Sequence, residues 1–448
     1  MRRLHGKHAF LFIAAIILAA TSVAAKMDDI SQMPGWPNSI QVNTTFWDMC
    51  GLVLADIDGD PDKEIIAATT AGKLIAWDYD GTLLFSANLT GLSVTVAAVG
   101  DVSGDSAPEI IVNTRDLTGG SPTPTIYIFS GAGTVLKSGT PSHIGAMMNA
   151  PTLADLSGDD KLELIIGEMG SGEGWLHVLD GDLNSIGKGW PAVLDHVPAT
   201  SAAVGDLDDD GQPEVAVCSF YSIYAFEKDG STMPGFPKAF TGETFSYSSP
   251  ALADLNGDGT LEIITNTHGD SNRVHAVQYD GSELAGWPYD LGDAWSFSAP
   301  SVGDIDGNGD LEVVAGRSGG LMEDEALFVI NHDGTDFGNF PLAMVGGSEG
   351  NFVLADLNGD SQQEIVFTTN TTDDGQGYLM AVDADAQQLA GWPLRPDGMT
   401  YMNGATLADV DGNGSPELGV FSSDPSSGTG WTNLYALDAA GLDTVEAH

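Results

Sequence analysis

The sequence predicts an all-β protein, namely an eight-bladed β-propeller with four-stranded antiparallel blades. Three observations support this prediction. One acidic motif recurs eight times, only short β-rich segments separate its copies, and an unmatched strand segment precedes the first copy. The 448 residues are 42% hydrophobic, which is enough to form a core, and 57 of them are glycine, which indicates many turns.

The repeated motif consists of an apolar segment, an acidic loop and a second apolar segment. The fifth copy, Leu252–Thr265, reads LADLNGDGTLEIIT, and the first aspartates of successive copies lie 45 to 54 residues apart. A near-constant period of this length is typical of propeller blades.

Each repeat contains four candidate strands. In the fifth repeat these are Ser249–Ala253, Leu261–Thr265, an alternating run at Val274–Gly281 that ends in an Asp-Gly turn, and a segment that carries Gly286–Pro288. Such short segments, separated by Gly, Asp and Asn turns and lacking helical periodicity, indicate antiparallel strands.

The two ends of the repeat region predict how the ring closes. The last repeat has its third strand, Asn433–Asp438, but no Gly-Trp-Pro strand, whereas Pro34–Val42 is such a strand without a repeat of its own. We therefore expect the N-terminal strand to complete the eighth blade, which would remove exposed sheet edges. Ala132–Met148 in the second repeat has no clear Gly-aromatic-Pro strand, so a seven-bladed ring is the alternative.

Residues 1–25 are interpreted as a secretory signal peptide. A basic segment, Met1–His8, precedes a short apolar stretch, Ala9–Ala20, and then small residues. An uncleaved membrane anchor is the alternative. Residues 26–448 would then form one propeller domain, exported to the periplasm or the extracellular space.

The two cysteines are expected to be free thiols. Cys50 enters the first predicted blade and Cys218 lies in the fourth. Blades three apart in a ring cannot bring two Cα atoms within the roughly 7 Å that a disulfide requires.

The acidic loop has the form Asp-x-[Asp/Asn/Ser]-x-[Asp/Asn]-x-x-x-Glu. Position 1 is always aspartate: Asp56, Asp101, Asp155, Asp206, Asp254, Asp304, Asp356 and Asp409. Position 3 varies among three oxygen-bearing residues: Asp58, Ser103, Ser157, Asp208, Asn256, Asp306, Asn358 and Asp411. Position 5 is acidic or amide: Asp60, Asp105, Asp159, Asp210, Asp258, Asn308, Asp360 and Asn413. Position 9 is always glutamate: Glu64, Glu109, Glu163, Glu214, Glu262, Glu312, Glu364 and Glu417.

This pattern predicts up to eight structural Ca²⁺ ions. Hard oxygen donors without histidine or cysteine favour calcium over zinc or copper. Glycine occupies position 4 in seven copies and permits a sharp turn. The glutamate at position 9, rather than 12, and the flanking strands exclude an EF-hand. A metal-free acidic turn is the alternative interpretation.

The repeats resemble a known family. The sixth copy, VGDIDGNGDLEVVAG at Val302–Gly316, is similar to the FG-GAP/VCBS repeat, the unit of the integrin alpha-chain β-propeller, in a secreted bacterial form. This resemblance, over about residues 33–448, implies a calcium loop between the first two strands of each blade and ligand binding on the opposite face. The Phe-Gly…Gly-Ala-Pro signature, an integrin-like leg and a membrane segment are missing, so receptor function is not implied.

The net charge and the connecting loops indicate which kinds of partner the protein can bind. A net charge of −49 opposes binding to nucleic acid or to anionic membranes. We expect a monomeric adhesion or interaction module whose ligand is a protein or a cell-surface glycan. Aromatic residues on the rim opposite the acidic loops are candidate contacts: Trp47, Phe245, Tyr247, Trp295 and Tyr401. The tryptophans of the Gly-Trp-Pro segments are instead expected to pack between blades: Trp36, Trp190, Trp287 and Trp392.

Two other functions are open alternatives. The first is a polysaccharide-active enzyme, because some rhamnogalacturonan lyases are eight-bladed calcium propellers, and the second is a structural component of the cell envelope. The sequence favours a binding protein, with no catalytic residues assigned. Gly346–Gly350 matches G-x-S-x-G but lacks the strand-to-helix context that this motif requires. The mature arginines, which a lyase would need to hold an acidic substrate, fall in different blades: Arg115, Arg273, Arg317 and Arg395.

Overall fold

The computed structural model describes residues 30–44, 51–93, 95–115, 125–140, 149–170, 172–245, 247–269, 271–319, 322–370 and 375–437. These segments contain 32 β-strands and no helix, and hence no helix that is long and apolar enough to cross a membrane. The strands form eight antiparallel sheets. The eight-bladed propeller is therefore confirmed and the seven-bladed alternative is wrong. The predicted signal peptide lies outside the described residues.

The strand bounds follow the repeats. Blades 1 and 2 contain β3 (Val53–Ala55), β4 (Glu64–Thr69), β5 (Lys73–Trp77), β6 (Leu83–Asn88), β7 (Ala98–Gly100), β8 (Glu109–Thr114), β9 (Thr125–Ser130) and β10 (Val135–Gly139). Blades 3 and 4 contain β11 (Thr152–Ala154), β12 (Glu163–Met169), β13 (Gly174–Leu179), β14 (Ala192–Leu194), β15 (Ala203–Gly205), β16 (Glu214–Cys218), β17 (Ser222–Phe226) and β18 (Lys238–Ala239). Blades 5 and 6 contain β19 (Ala251–Ala253), β20 (Glu262–Asn266), β21 (Asn272–Val277), β22 (Tyr289–Gly292), β23 (Ser301–Gly303), β24 (Glu312–Gly316), β25 (Asp324–Ile330) and β26 (Leu342–Met344). Blades 7 and 8 contain β27 (Val353–Ala355), β28 (Glu364–Thr368), β29 (Leu379–Val382), β30 (Ala405–Ala408), β31 (Glu417–Asp424) and β32 (Thr429–Ala436), and the N-terminal strands are β1 (Ser31–Gln32) and β2 (Asn38–Gln41).

The burial of each strand follows from its place in the blade. The second strand of blade 1, β4, is buried along its whole length, whereas the fourth strand, β6, alternates between exposed and half-buried residues. Neighbouring blades cover both faces of a middle strand, so its sequence is a continuous apolar run. First strands of adjacent blades contact one another, as β7 and β11 do, and therefore surround the central channel.

The hydrophobic core is divided into eight clusters, and each fills the gap between two neighbouring blades. The cluster between blades 1 and 2, for example, joins Ile57 and Ile66 to Ile110 and Phe129. The residue at loop position 2 belongs to such a cluster in every blade, as Ile57 does here. The acidic loops are thus anchored directly in the core.

The ring closes as the sequence predicts. Strand β2 pairs antiparallel with β32, with Asn38 opposite Thr432 and Ile40 opposite Gly430. Strand β1 pairs with the same partner further along. Blade 8 therefore combines the N-terminal strands with three C-terminal ones, and contact between β3 and β30 joins it to blade 1.

The Gly-Trp-Pro tryptophans tie each blade to the next. The indole N–H groups donate to backbone carbonyls in the neighbouring blade, from Trp36 to Tyr79 at 2.7 Å and from Trp287 to His332 at 3.1 Å. Trp190 and Trp392 are likewise buried. The prediction that these tryptophans pack between blades is confirmed.

Two details differ from a regular eight-fold repeat. Blade 7 has three regular strands, and its fourth segment makes only an isolated bridge between Leu394 and Leu379. Blade 2 has a complete fourth strand, β10, although it lacks Gly-aromatic-Pro.

Cys218 is a free, buried thiol, and burial raises its pKa to about 12. Cys50 lies outside the described residues.

Gly286→Ala should be strongly destabilising. Gly286 has φ +98°, and an added Cβ would lie 2.0 Å from the backbone oxygen of Asp333 in the next blade. A left-handed conformation alone costs an alanine about 1–2 kcal/mol, and the contact adds to this, so we expect at least about 3 kcal/mol in urea unfolding. Gly257→Ala is a matched control, because Gly257 also has positive φ but would meet nothing within 4 Å. Equal losses for the two variants would contradict the role of the contact.

Candidate functional site

All eight acidic loops lie on one face of the ring, which we call the loop face. Each connects the first strand of a blade to the second, as residues 56–63 connect β3 to β4. The other end of the channel, which the first strands leave, is called the opposite face. The placement implied by the family resemblance is thus observed for every blade.

The glutamate at position 9 holds each loop closed. It is buried in every blade, and its Oε2 accepts the backbone N–H of position 2, at 2.8 Å from Ile57 to Glu64. The same bond recurs in all eight blades, from Ile57, Val102, Leu156, Leu207, Leu255, Ile305, Leu357 and Val410. One carboxylate oxygen is therefore used by the fold. In blades 5 and 7 the second oxygen accepts the side-chain amide of position 3, from Asn256 at 3.1 Å and from Asn358 at 2.7 Å, so there a ligand must displace that amide.

The aspartates at positions 1 and 5 shape the rest of the loop. In blade 5, Asp254 accepts backbone N–H groups from Gly257, Asp258 and Gly259 at 2.7–3.0 Å. Asp258 accepts the N–H of Thr260 at 2.9 Å. These bonds bring the side chains of alternate positions to the same side of the turn.

Position 4 requires a left-handed backbone. Its φ is positive in all eight loops, from +60° to +88°, and this includes Asp209, where the other loops have glycine. The glycine preference seen in the sequence therefore has a conformational cause, because glycine adopts positive φ without strain.

Gly257→Ala isolates this backbone effect. No atom lies within 4 Å of the added Cβ, so the expected loss of about 1 kcal/mol in the free energy of unfolding comes from the dihedral angle alone. Urea unfolding in excess calcium measures it. A neutral or stabilising result would show that position 4 tolerates ordinary residues.

The loops bring carboxylates close enough to share a metal ion. Within each of five groups, one oxygen from each residue lies within 4.8 Å of the others. The groups are Asp56, Asp58 and Glu64; Asp101, Asp105 and Glu109; Asp155, Asp159 and Glu163; Asp206, Asp208 and Asp210; and Asp304, Asp306 and Glu312. These acidic groups can therefore hold a metal ion, as the sequence predicts.

The loop of blade 4 has unused oxygen ligands. Oε1 of Glu214 and Oδ1 of Asp208 are buried and have no hydrogen-bond partner among the described residues. Such atoms ordinarily have a partner, because burial without one is costly. A cation bound in this loop would give these atoms a partner, and a donor set made only of oxygens fits calcium.

Burial and mutual repulsion alter the pKa of the position-9 glutamates in the metal-free protein. Burial and the nearby carboxylate of Asp208 together raise the pKa of Glu214 to about 7, against the lowering effect of the hydrogen bond from the Leu207 N–H. Burial raises the pKa to about 7 in five other loops, at Glu64, Glu262, Glu312, Glu364 and Glu417. Without a cation, these loops therefore hold their protons up to near neutral pH.

The predicted rim residues differ in how far they are exposed. Trp295 is 54% exposed and its ring lies 4.5 Å from His268, while Tyr247 is 37% exposed and lies 5.7 Å from Phe297. Tyr401 is half-buried, and Trp47 lies outside the described residues. Phe245 is fully buried in the core between blades 4 and 5, so placing it on the rim was wrong. Tyr247, two residues further along the connection, is exposed instead.

Sequence reasoning missed a buried charged group between blades 4 and 5. His275 contacts Glu283 through Nδ1 at 2.6 Å and Glu243 through Nε2 at 2.8 Å. Arg273 donates to the same Glu243 at 2.8 Å. Glu243 lies 30 and 32 residues before Arg273 and His275, and no local pattern joins them. Arg273 is therefore engaged in a structural ion pair.

Comparison with known proteins agrees with this fold. The chain matches the FG-GAP-like repeat at residues 206–265 and 254–315, so the predicted repeat is confirmed over that part of the chain. The protein is thus an eight-bladed β-propeller that contains FG-GAP-like repeats. No curated protein matches its sequence.

Solved structures with the same fold are distant in sequence. The biofilm matrix protein Bap1 of V. cholerae has a TM-score of 0.61 and 13% identity, over 92% of this chain and 89% of that one. Quinohemoprotein alcohol dehydrogenase from Comamonas testosteroni has a TM-score of 0.58 and 11% identity, over 95% and 78%. BamB from Moraxella catarrhalis has a TM-score of 0.53 and 12% identity, over 91% and 99%. At these identities, the similarity establishes the propeller fold and no activity.

Proposed function

We propose that this protein is a secreted, calcium-stabilised β-propeller that binds a protein or a glycan partner through its opposite face. The observation that carries the calcium assignment is the pair of buried, unpartnered oxygens on Glu214 and Asp208. They sit in a loop built only of oxygen donors, the chemistry that Ca²⁺ prefers. The same architecture recurs in all eight blades.

Calcium would stabilise the loop that connects the first two strands of each blade. The position-9 glutamate begins the second strand, and the position-1 aspartate follows the first, so one ion would connect both. Position 2 between them is anchored in the core, as Leu207 is in blade 4. An ion in the loop would therefore stabilise the packing between blades as well as the turn.

The eight sites are expected to differ in affinity. Blades 1 and 4 offer four carboxylates, whereas each of the others has three, because Ser or Asn replaces one. Affinity for calcium rises with the charge of the ligand set. In blade 5, Asn256 directs its amide nitrogen to Glu262 at 3.1 Å, so the amide must turn to present its oxygen. Calorimetric titration should therefore resolve tighter and weaker sites, and no bound calcium would overturn the assignment.

The partner surface is proposed from the exposed aromatics. Trp295 and Tyr247 project from the opposite face beside Phe297 and His268. Exposed aromatic rings supply large contact areas for sugar rings and for protein side chains. Bap1, named as a biofilm matrix protein, gives a precedent for this fold in such a setting.

The partner proposal is tested by screening a glycan array and a pull-down in millimolar calcium. Trp295→Ala should abolish binding, whereas Tyr279→Ala should not, because Tyr279 is a 39% exposed aromatic on a turn of the loop face. Equal effects of the two variants would exclude the opposite face as the partner site.

Export is a separate part of the proposal. The basic and apolar segments at the N-terminus support cleavage after Ala24 or Ala25. Mass spectrometry of the exported protein should find a mature chain that begins at Ala25 or Lys26. An intact N-terminus in the membrane fraction would instead indicate an anchor.

A further inference from the structure

In blades 5 to 8, the residue seven positions before the first loop aspartate lines the channel mouth on the opposite face. In the eight repeats it is Met49, Val94, Met148, Ala199, Tyr247, Phe297, Glu349 and Met402. Seven are apolar or aromatic, and one is a carboxylic acid. Of these, Tyr247, Phe297, Glu349 and Met402 line a cavity of about 340 Å³ to which all eight blades contribute. The cavity is far larger than the roughly 30 Å³ of one water molecule.

Glu349 lies in this cavity, and the described residues offer it no positively charged partner. It is only 5% exposed, and it accepts a hydrogen bond from Asn370 Nδ2 at 3.3 Å. Among the described residues, no Lys, Arg or His nitrogen forms an ion pair with it. The internal stretches outside the description contain one histidine, His143, and no lysine or arginine. An ionised carboxylate in such surroundings is costly unless a cation accompanies it.

The walls of the cavity suit the apolar part of a cationic ligand. The rings of Tyr247 and Phe297 lie 5.7 Å apart and can face an ammonium group or its hydrocarbon stem. Met402 adds a polarisable thioether. The net charge of −49 attracts cations to any opening of the protein.

We propose that the channel mouth binds an alkylammonium group, with its charge at Glu349 and its stem against Tyr247, Phe297 and Met402. The group can belong to a free amine or to a lysine side chain of a partner. This site goes beyond the calcium loops, which lie at the other end of the channel, and it does not depend on them.

The test compares n-butylammonium with 1-butanol, which has the same stem but no charge. Saturation-transfer NMR on the calcium-loaded full chain should show that the ammonium binds at least about tenfold more tightly. Nα-acetyl-lysine amide distinguishes the sources: binding of both amines supports a protein-borne lysine, and binding of butylammonium alone supports a free amine. Equal binding of butanol and butylammonium, or no binding of either amine, would overturn the proposal.

Variants test whether Glu349 supplies the negative charge that binds the ammonium group. Glu349→Gln keeps the shape and should abolish the preference for the ammonium, whereas Glu325→Gln removes a charge from an exposed part of β25 and should leave it unchanged. Phe297→Leu should weaken binding severalfold if the aromatic wall contributes. If Glu349→Gln binds as tightly as the parent, the assignment is wrong. Because the probes are small, their failure would leave the array and pull-down test of the partner surface unaffected.

Discussion

Removing calcium should lower the melting temperature of this protein by about 10 °C or more. Extracellular calcium modules bind with dissociation constants of about 10⁻⁴–10⁻³ M, so about 10 mM calcium exceeds these by tenfold or more. At tenfold excess, each occupied site stabilises the folded state by about 1.4 kcal/mol, and several sites act together. A shift of about 2 °C per kcal/mol is typical of large domains.

The measurement is a thermal melt after dialysis against chelator, repeated with calcium and with magnesium at the same ionic strength. Magnesium should restore less, because it demands a smaller octahedral set and loses its water reluctantly. An unchanged melting temperature in chelator would contradict the metal assignment for all eight loops.

The substitution Glu214→Gln distinguishes the stability that comes from the bound ion from the stability that comes from the loop's own hydrogen bonds. The amide keeps an oxygen that can accept the Leu207 N–H, but it removes one negative charge from the metal ligands. We expect a smaller gain in stability on adding calcium and no loss in chelator, where the variant lacks a buried charge. Glu325→Gln is the control for a general change in net charge. A variant that loses stability only in chelator would show that Glu214 has a role in the fold alone.

Much of this architecture could be predicted because the repeat displays it eight times. The acidic loops, the position-4 glycines and the closure by Pro34–Val42 all follow from local patterns that recur with a fixed period. The burial of Phe245 could not be predicted, because nothing in the connection shows which of its aromatics turns toward blade 5. The contact between His275 and Glu243 joins two blades, and no periodicity records it.

Glu349 is an intermediate case. Aligning the eight repeats on their first aspartate shows one acid among seven apolar or aromatic residues at this position, so the sequence contained the signal. Its meaning depended on the structure, which places this position in the cavity and shows that Glu349 is buried there. The acidic residues of the chain also fall into two groups. The ligand positions of the loops hold 26 of the 64 acidic residues, and a few of the others, such as Glu243 and Glu349, are buried outside the loops.

The pH dependence of stability should reverse its sign when calcium is added. In the metal-free protein, the buried glutamates of six loops, such as Glu214, have a pKa raised from 4.5 to about 7. An acid whose pKa is higher in the folded state stabilises that state while it is protonated, and this stabilisation is lost as the pH rises from about 4.5 to about 7. Calcium requires the ionised form, so its contribution grows over the same interval.

We therefore expect the calcium-free protein to melt at a higher temperature at pH 5 than at pH 8, and the calcium-loaded protein to do the opposite. Surface repulsion also increases with pH, so the melts are recorded at about 0.5 M salt, which screens exposed charges far more than buried ones. A calcium-free protein that becomes more stable from pH 5 to pH 8 would show that these glutamates are ionised without a metal. The hydrogen bond from the N–H at position 2 would then be enough to keep each glutamate ionised despite its burial.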